Sequence, residues 1–147
     1  MARHLDICDA VVTALNDHEF SQAFTAVRKY RPHLVREECS DVQVTVIPAS
    51  YTTEPADRSR SRSQYGVEIA VQKEVDPDSN TACDAMLELV YEIRDFFAMQ
   101  RLSGLQSAAW QKVEMVQGAE AGFAPQHLDE LRLFTGVLRL TWQVIEA

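Results

Sequence analysis

The stretch that most constrains this chain is Leu133-Phe134-Thr135-Gly136-Val137-Leu138-Arg139-Leu140-Thr141-Trp142-Gln143-Val144-Ile145. Phe134, Leu138, Leu140, Trp142 and Val144 share one parity, and Thr135, Arg139, Thr141 and Gln143 the other. A period of two describes a strand with one buried and one wet face. β-Branched and aromatic residues suit that pleated surface better than a helix. The run is roughly twice the usual strand length of about 5–6 residues, so it can serve as the plank on which shorter strands are laid. Its buried parity carries no catalytic group, which marks it as scaffold.

Other segments supply partners for that plank. Val42, Val44 and Val46 alternate with Gln43 and Thr45, and Pro48 ends the run. Tyr65, Val67, Ile69 and Val71 repeat the pattern within 64–75, with Glu68 and Gln72 outward. These two strands are expected to pair as a hairpin across a long Ser/Arg-rich loop at 49–63, where hairpin loops usually hold about 2–5 residues. In that loop Arg58, Arg60 and Arg62 alternate with Ser59, Ser61 and Ser63. Residues 110–116 form a further short strand. Residues 24–30 read as an edge strand or extended arm, closed by Pro32.

Helical spacing appears twice. Leu5, Cys8, Val11, Val12 and Leu15 make an amphipathic helix over about residues 3–17, ended by Asn16-Asp17-His18. Met86, Leu87, Val90, Ile93, Phe96 and Phe97 make a broader stripe over 79–101, with Thr81 and Asp84 as its capping box and Gly104 as its stop. Ala124 to Leu131 has room for one helical turn with Pro125 at its first position. Hairpin-connected strands with helices between them define an α+β fold: an antiparallel sheet of four to five strands with two helices packed on it.

The chain has 147 residues and 46% hydrophobic content, enough for one domain with its own core over 1–147. The net charge of −8 excludes a free-standing nucleic-acid binder, because phosphate contacts need clustered cations. No apolar run approaches the roughly 18 residues that cross a bilayer, and the start of the chain leads into an amphipathic pattern rather than a signal-peptide core, so no membrane partner is expected. Cys8, Cys39 and Cys83 are odd in number and lack metal-ligand spacing, as expected of reduced thiols.

Catalytic patterns are not found. The chain has no Gly-rich phosphate loop and no serine elbow. His18-Glu19 reads as an exposed pair rather than a metal site. Acidic Glu37 and Glu38 beside Cys39 oppose thiolate formation. Trp110 and Trp142 read as core or interface anchors. No catalytic residue, cofactor or metal site is therefore expected.

Phe20 to Tyr30, Val44 to Pro48, Ile69 to Val75 and Ala124 to Thr135 resemble a family of small bacteriophage and prophage structural proteins. Over about residues 8–144 the length and element order resemble the tail-terminator, or tail-completion, proteins of long-tailed phages. The resemblance implies a homohexameric ring that caps the tail tube and joins it to the head connector in the virion neck, assembled in the host cytoplasm. It implies as partners the chain itself, a tail tube protein, a connector or stopper protein, and genomic DNA passing the lumen without specific binding. A stopper or adaptor in the same neck is the nearest alternative. A ferredoxin-like enzyme or ligand-binding module is the alternative from another class. In a ring, Phe20, Phe24 and Tyr30 of the arm and Arg58, Arg60 and Arg62 of the loop are the expected contacts with neighbouring copies. An open aromatic edge is usually covered, and the arginines would find acidic surface on a negatively charged neighbour.

Overall fold

The computed structural model describes residues 3–31, 39–98, 109–115 and 123–146. In chain order these form α1 (Arg3–Asp17), β1 (Ala26–Arg28), β2 (Gln43–Pro55), β3 (Ser61–Glu74), α2 (Asn80–Phe97), β4 (Ala109–Met115), α3 (Pro125–Leu131) and β5 (Leu133–Glu146). The fold is α+β, with one five-stranded sheet in the order β1-β2-β3-β5-β4. The expected plank is β5, which lies between β3 and β4 and pairs antiparallel with both.

The sheet is mixed rather than antiparallel throughout. β1 runs parallel to β2, pairing Ala26, Val27 and Arg28 with Val44, Thr45 and Val46. A parallel pair needs a crossover of about a dozen residues or more, and 29–42 are long enough to supply it. The expected arm at 24–30 therefore contributes only a short edge strand. Asn16 holds that strand to α1. Its side-chain amide donates to the Ala26 carbonyl at 3.2 Å, and its Oδ1 accepts from the Ala26 N–H at 2.8 Å. Asn16 thus acts as a one-residue ladder partner at the edge.

One face of the sheet carries the core. Val44 and Val46 of β2, Val67, Ile69 and Val71 of β3, and Phe134, Leu138, Leu140, Trp142 and Val144 of β5 all lie there and are buried. Ile7, Cys8, Val11 and Leu15 of α1 join the same cluster, as do Met86, Leu89, Val90, Ile93 and Phe97 of α2. Both helices thus press their apolar stripes on this face, where burying each large aliphatic side chain contributes about 1.5–3 kcal/mol. The helix cap is Ser79 rather than Thr81: the Ser79 side chain accepts from the Ala82 N–H at 3.3 Å. α2 runs to Phe97, and the expected continuation through 99–101 to Gly104 lies outside the described residues.

The second face is drier than its polar parity implies. Thr45 and Gln72, expected to face water, are 0% exposed, and Thr135 is 2% exposed. Gln72 Nε2 donates to Thr135 Oγ1 at 3.4 Å, so this polar pair satisfies itself within the sheet. Further along, Glu68 and Arg139 face each other across β3 and β5 and form an ion pair at 2.9 Å.

Candidate assembly surface

The segment expected as a long loop at 49–63 is mostly strand. β2 continues to Pro55 and β3 begins at Ser61, so only Ala56 to Arg60 turn. A register shift between Pro48 and Ser50 marks a bulge. The bulge lets β2 pass Pro48, whose ring removes a ladder donor, and resume pairing at Ser50 opposite Gly66. Gly66 has a steric reason: a Cβ there would collide with Ser50 Oγ. Its carbonyl also accepts from His4 Nε2 at 2.8 Å.

Past the bulge β2 becomes exposed while β3 and β5 beside it keep Ser63, Tyr65, Trp142 and Val144 buried. Residues 50–55 are exposed with the sole cross-strand order Tyr51↔Tyr65, Thr52↔Gln64, Thr53↔Ser63, Glu54↔Arg62 and Pro55↔Ser61. β5 accompanies β3 on the other side as far as Ser61↔Glu146. β4 reaches the level of Thr52, and from Thr53 outward the described strands are β2, β3 and β5, a three-stranded ribbon. At its turn the Asp57 carboxylate accepts from the Ser59 and Arg60 N–H groups, each at 2.9 Å, and from Arg60 Nε at 2.7 Å. The backbone bond from Ser59, followed by the Arg60 side chain, holds the Asp57 carboxyl below its ordinary value.

The three loop arginines differ in their freedom. Arg60 is held by Asp57, and Arg62 pairs across the ribbon with Glu54 at 3.1 Å. Arg58 is exposed and has no ion-pair partner among the described residues. Exposed pairs of this kind contribute about 0–1 kcal/mol, so both paired arginines can exchange partners at little cost.

The arm residues also divide. Phe20 and Phe24 are half-buried against the core. Their rings stack at 5.4 Å, Phe20 meets Phe96 of α2 edge-on at 5.3 Å, and His18 stacks on Phe96 at 4.4 Å. Glu92 Oε1 accepts from the Ser21 N–H at 2.9 Å, and Gln22 Nε2 donates to the Ala85 carbonyl at 3.1 Å. The arm is thus folded onto α2, and the His18 ring is engaged with aromatic neighbours. Tyr30 is 71% exposed beyond it. The structure brings Phe20 and Phe24 together and separates them from Arg58, Arg60 and Arg62 at the ribbon tip. Tyr51, 55% exposed on the ribbon, was missed by sequence reasoning; its signal was a lone aromatic three residues past Pro48 in a run otherwise of small and polar residues.

Grooves beside the arm are open to solvent. One is lined by Gln22, Phe24, Asp41, Gln43 and Lys73, and another by His18, Glu19 and Phe20. Among the described residues no three His, Cys, Asp or Glu side chains are placed to hold a metal ion, and no helix is long and apolar enough to cross a membrane. Cys8 is fully buried, and burial pushes its thiol up to about 12. Trp142 lies in the core, while the side chains of Trp110 and His127 lie outside the described residues.

No protein-family model matches the chain, and no curated protein matches it. Among solved structures it is similar to the sheath/tube terminator of PVC, an extracellular contractile injection system, in its extended state. The two are 10% identical with a TM-score of 0.49, over 100% of this chain and 57% of that one. The chain thus spans a little over half the length of that protein.

Proposed function

We propose that this chain is a structural subunit that ends a tail tube, acting as a ring of copies, six by the family resemblance, at the neck of a phage or phage-like particle. The observation that carries the proposal is the β2–β3–β5 ribbon. Strand residues 50–55 remain exposed although the strand beside them holds Ser63 and Tyr65 in the core. An outer strand that buries so little of its own surface is weakly held in water. It repays its ordering when another surface covers it. The sequence resemblance points to the same role through different residues, along the arm and the core strands.

In this role the ribbon and Tyr30 meet neighbouring copies, with the exposed parts of Phe20 and Phe24 beside them. Arg58, Arg60 and Arg62 meet acidic surface on the next subunit or on the tube. The ring joins the tail tube to the head connector, and DNA passes without specific contacts, as the net charge of −8 favours. The test is to shorten the ribbon. Thr52 and Gln64 pair in register, so replacing 53–63 with Asn-Gly leaves a two-residue turn between them. The shortened chain should keep its helices and cooperative melt but lose rings in negative stain and fail to complete tails. Normal rings and infectious particles from that variant would refute the role of the ribbon.

A further inference from the structure

Among the described residues the sheet has two edges without a strand partner, on opposite sides. β4 is the last strand of the order β1-β2-β3-β5-β4. At the other side β1 covers β2 only at Val44, Thr45 and Val46, and Lys29 adds one bond to the Val46 carbonyl at 3.0 Å. From Ile47 to Pro55, β2 has no strand on its outer side among the described residues. Such an edge is a template for a further strand.

The two edges match in height. Ile47 lies in line with Glu68, Arg139 and Glu114 of β4. Ser50 lies in line with Gly66, Thr141 and Lys112, and Thr52 with Gln64, Gln143 and Ala109. β4 therefore occupies the level at which β2 first becomes bare. They also match in direction. β2, β3, β5 and β4 alternate, each antiparallel to the last. A second copy placed by rotation sets its β4 antiparallel to this β2, and the ladder continues unbroken. Apolar exposure follows the same edge: of the exposed large hydrophobics Val27, Tyr30, Tyr51 and Ile145, the first three belong to β1, the residues after it and the bare part of β2. Pro48 and Pro55 bracket the bare part and leave 49–54 with their N–H groups.

We propose that the bare edge of β2, residues 49–54, pairs with β4, residues 109–114, of a second copy of this chain. The subunit interface is then a continued antiparallel sheet. This rests on the ring proposal and names the strands that meet in it. Main-chain bonds supply the attachment, and Tyr51 supplies apolar contact. Because two different patches meet, the contact is head-to-tail, and a rotation that closes gives a ring.

Thr52 and Glu54 share a sheet face with Lys112 and Glu114, and all four side chains are exposed. The test uses the full chain with Cys83→Ser, carrying T52C or E54C together with K112C or E114C. Each double variant is assembled at high protein concentration, oxidised gently and run on a non-reducing gel. At least one pair should give a ladder of covalent oligomers up to the ring size, while the single-cysteine variants do not. In the unlabelled protein, amide exchange at 49–54 and 109–114 should slow on assembly. Rings that form without a ladder in any pair and without slowed exchange overturn the edge pairing and leave the ring proposal standing. Failure to form rings under any condition, with or without tail tubes, overturns both.

Discussion

Replacing Trp142 with alanine tests the core on which every other element rests. Trp142 is 0% exposed, lies opposite Tyr65 on β3 and Trp110 on β4, and meets Phe97 of α2 edge-on at 6.2 Å. A buried indole removes about 150–250 Å² from water, and at about 25 cal/mol per Å² that is roughly 4–6 kcal/mol. Alanine retains part of that area, and aromatic-to-alanine changes in cores cost about 3–5 kcal/mol. The expected loss is about 4 kcal/mol, against a total stability of about 5–15 kcal/mol. At roughly 2–4 °C per kcal/mol for a chain of this size, the Tm should fall by about 8–16 °C. Trp142→Phe separates shape from polarity. Trp142 Nε1 is buried without a partner among the described residues, and an unmet buried donor costs about 1–3 kcal/mol. Phenylalanine removes that cost while leaving a smaller void, so the net loss should stay below about 1.5 kcal/mol. Urea unfolding followed by far-UV circular dichroism, at concentrations where the chain is monomeric, measures both. A loss under about 1 kcal/mol for Trp142→Ala would refute the placement of β5 at the centre of the core. A phenylalanine variant as damaged as the alanine one would refute the unmet indole N–H.

Gly66→Ala should destabilise by about 0.5–1.5 kcal/mol, because Ser50 Oγ can rotate away while Ser50 Cβ and N stay close to the new methyl at the bulge, and Ser50→Gly should recover part of that loss in a double-mutant cycle. The Asp57 carboxyl is held low in the fold, so its contribution to turn order is complete above the ordinary carboxylate range and is lost as pH falls through its depressed value. Protection factors at the Ser59 and Arg60 amides, taken against the intrinsic rate at each pH, should fall at acid pH in wild type and be low at all pH values in Asp57→Ala. Cys8, raised to about 12, should resist alkylation at pH 8 in the native chain while Cys83, half-exposed, reacts first. The unfolded Cys8 thiol ionises near its ordinary value and the folded one does not, so stability should fall as pH rises above about 9 and Cys8→Ala should flatten that slope.

Legibility followed burial. β3, β4, β5, α1 and α2 were readable because each presses an apolar stripe against the others, so their periods of 2 or 3.6 are written in hydrophobicity. The ribbon was not readable for the converse reason. Ser50 to Pro55 is exposed on both parities and Ser61 to Ser63 is polar on both, even though Ser63 is buried opposite Val144, so neither run shows an apolar alternation. Pro48 reinforced the misreading as a stop, because its tolerance depends on a bulge opposite Gly66 that requires the partner strand to be known. The same ambiguity hid Ser79. Capping residues cluster through Ser79 and Thr81, and only the backbone shows which side chain reaches the first free N–H. Arg132, at φ 51° between α3 and β5, gave no signal at all, since left-handed positions usually announce themselves by Gly or Asn.

The arm shows why the candidate contacts were harder to read than the core. Phe20, Phe24 and Tyr30 form one aromatic series in the sequence, and an open edge explains all three equally well. In the fold, Phe20 has an internal partner in Phe96, placed on α2 far along the chain, Phe24 stacks on Phe20, and the His18 ring closes the same cluster. Tyr30 has no aromatic neighbour among the described residues and stays 71% exposed. Aromatic residues therefore divide by whether a distant element reaches them, which spacing along the chain does not encode. Tyr51 lies within the part of β2 that β1 leaves bare, and Tyr30 follows β1 along the same edge. Apolar surface and unpaired backbone thus coincide on one edge, and covering both at once takes a strand with side chains of its own, which a second copy offers through β4.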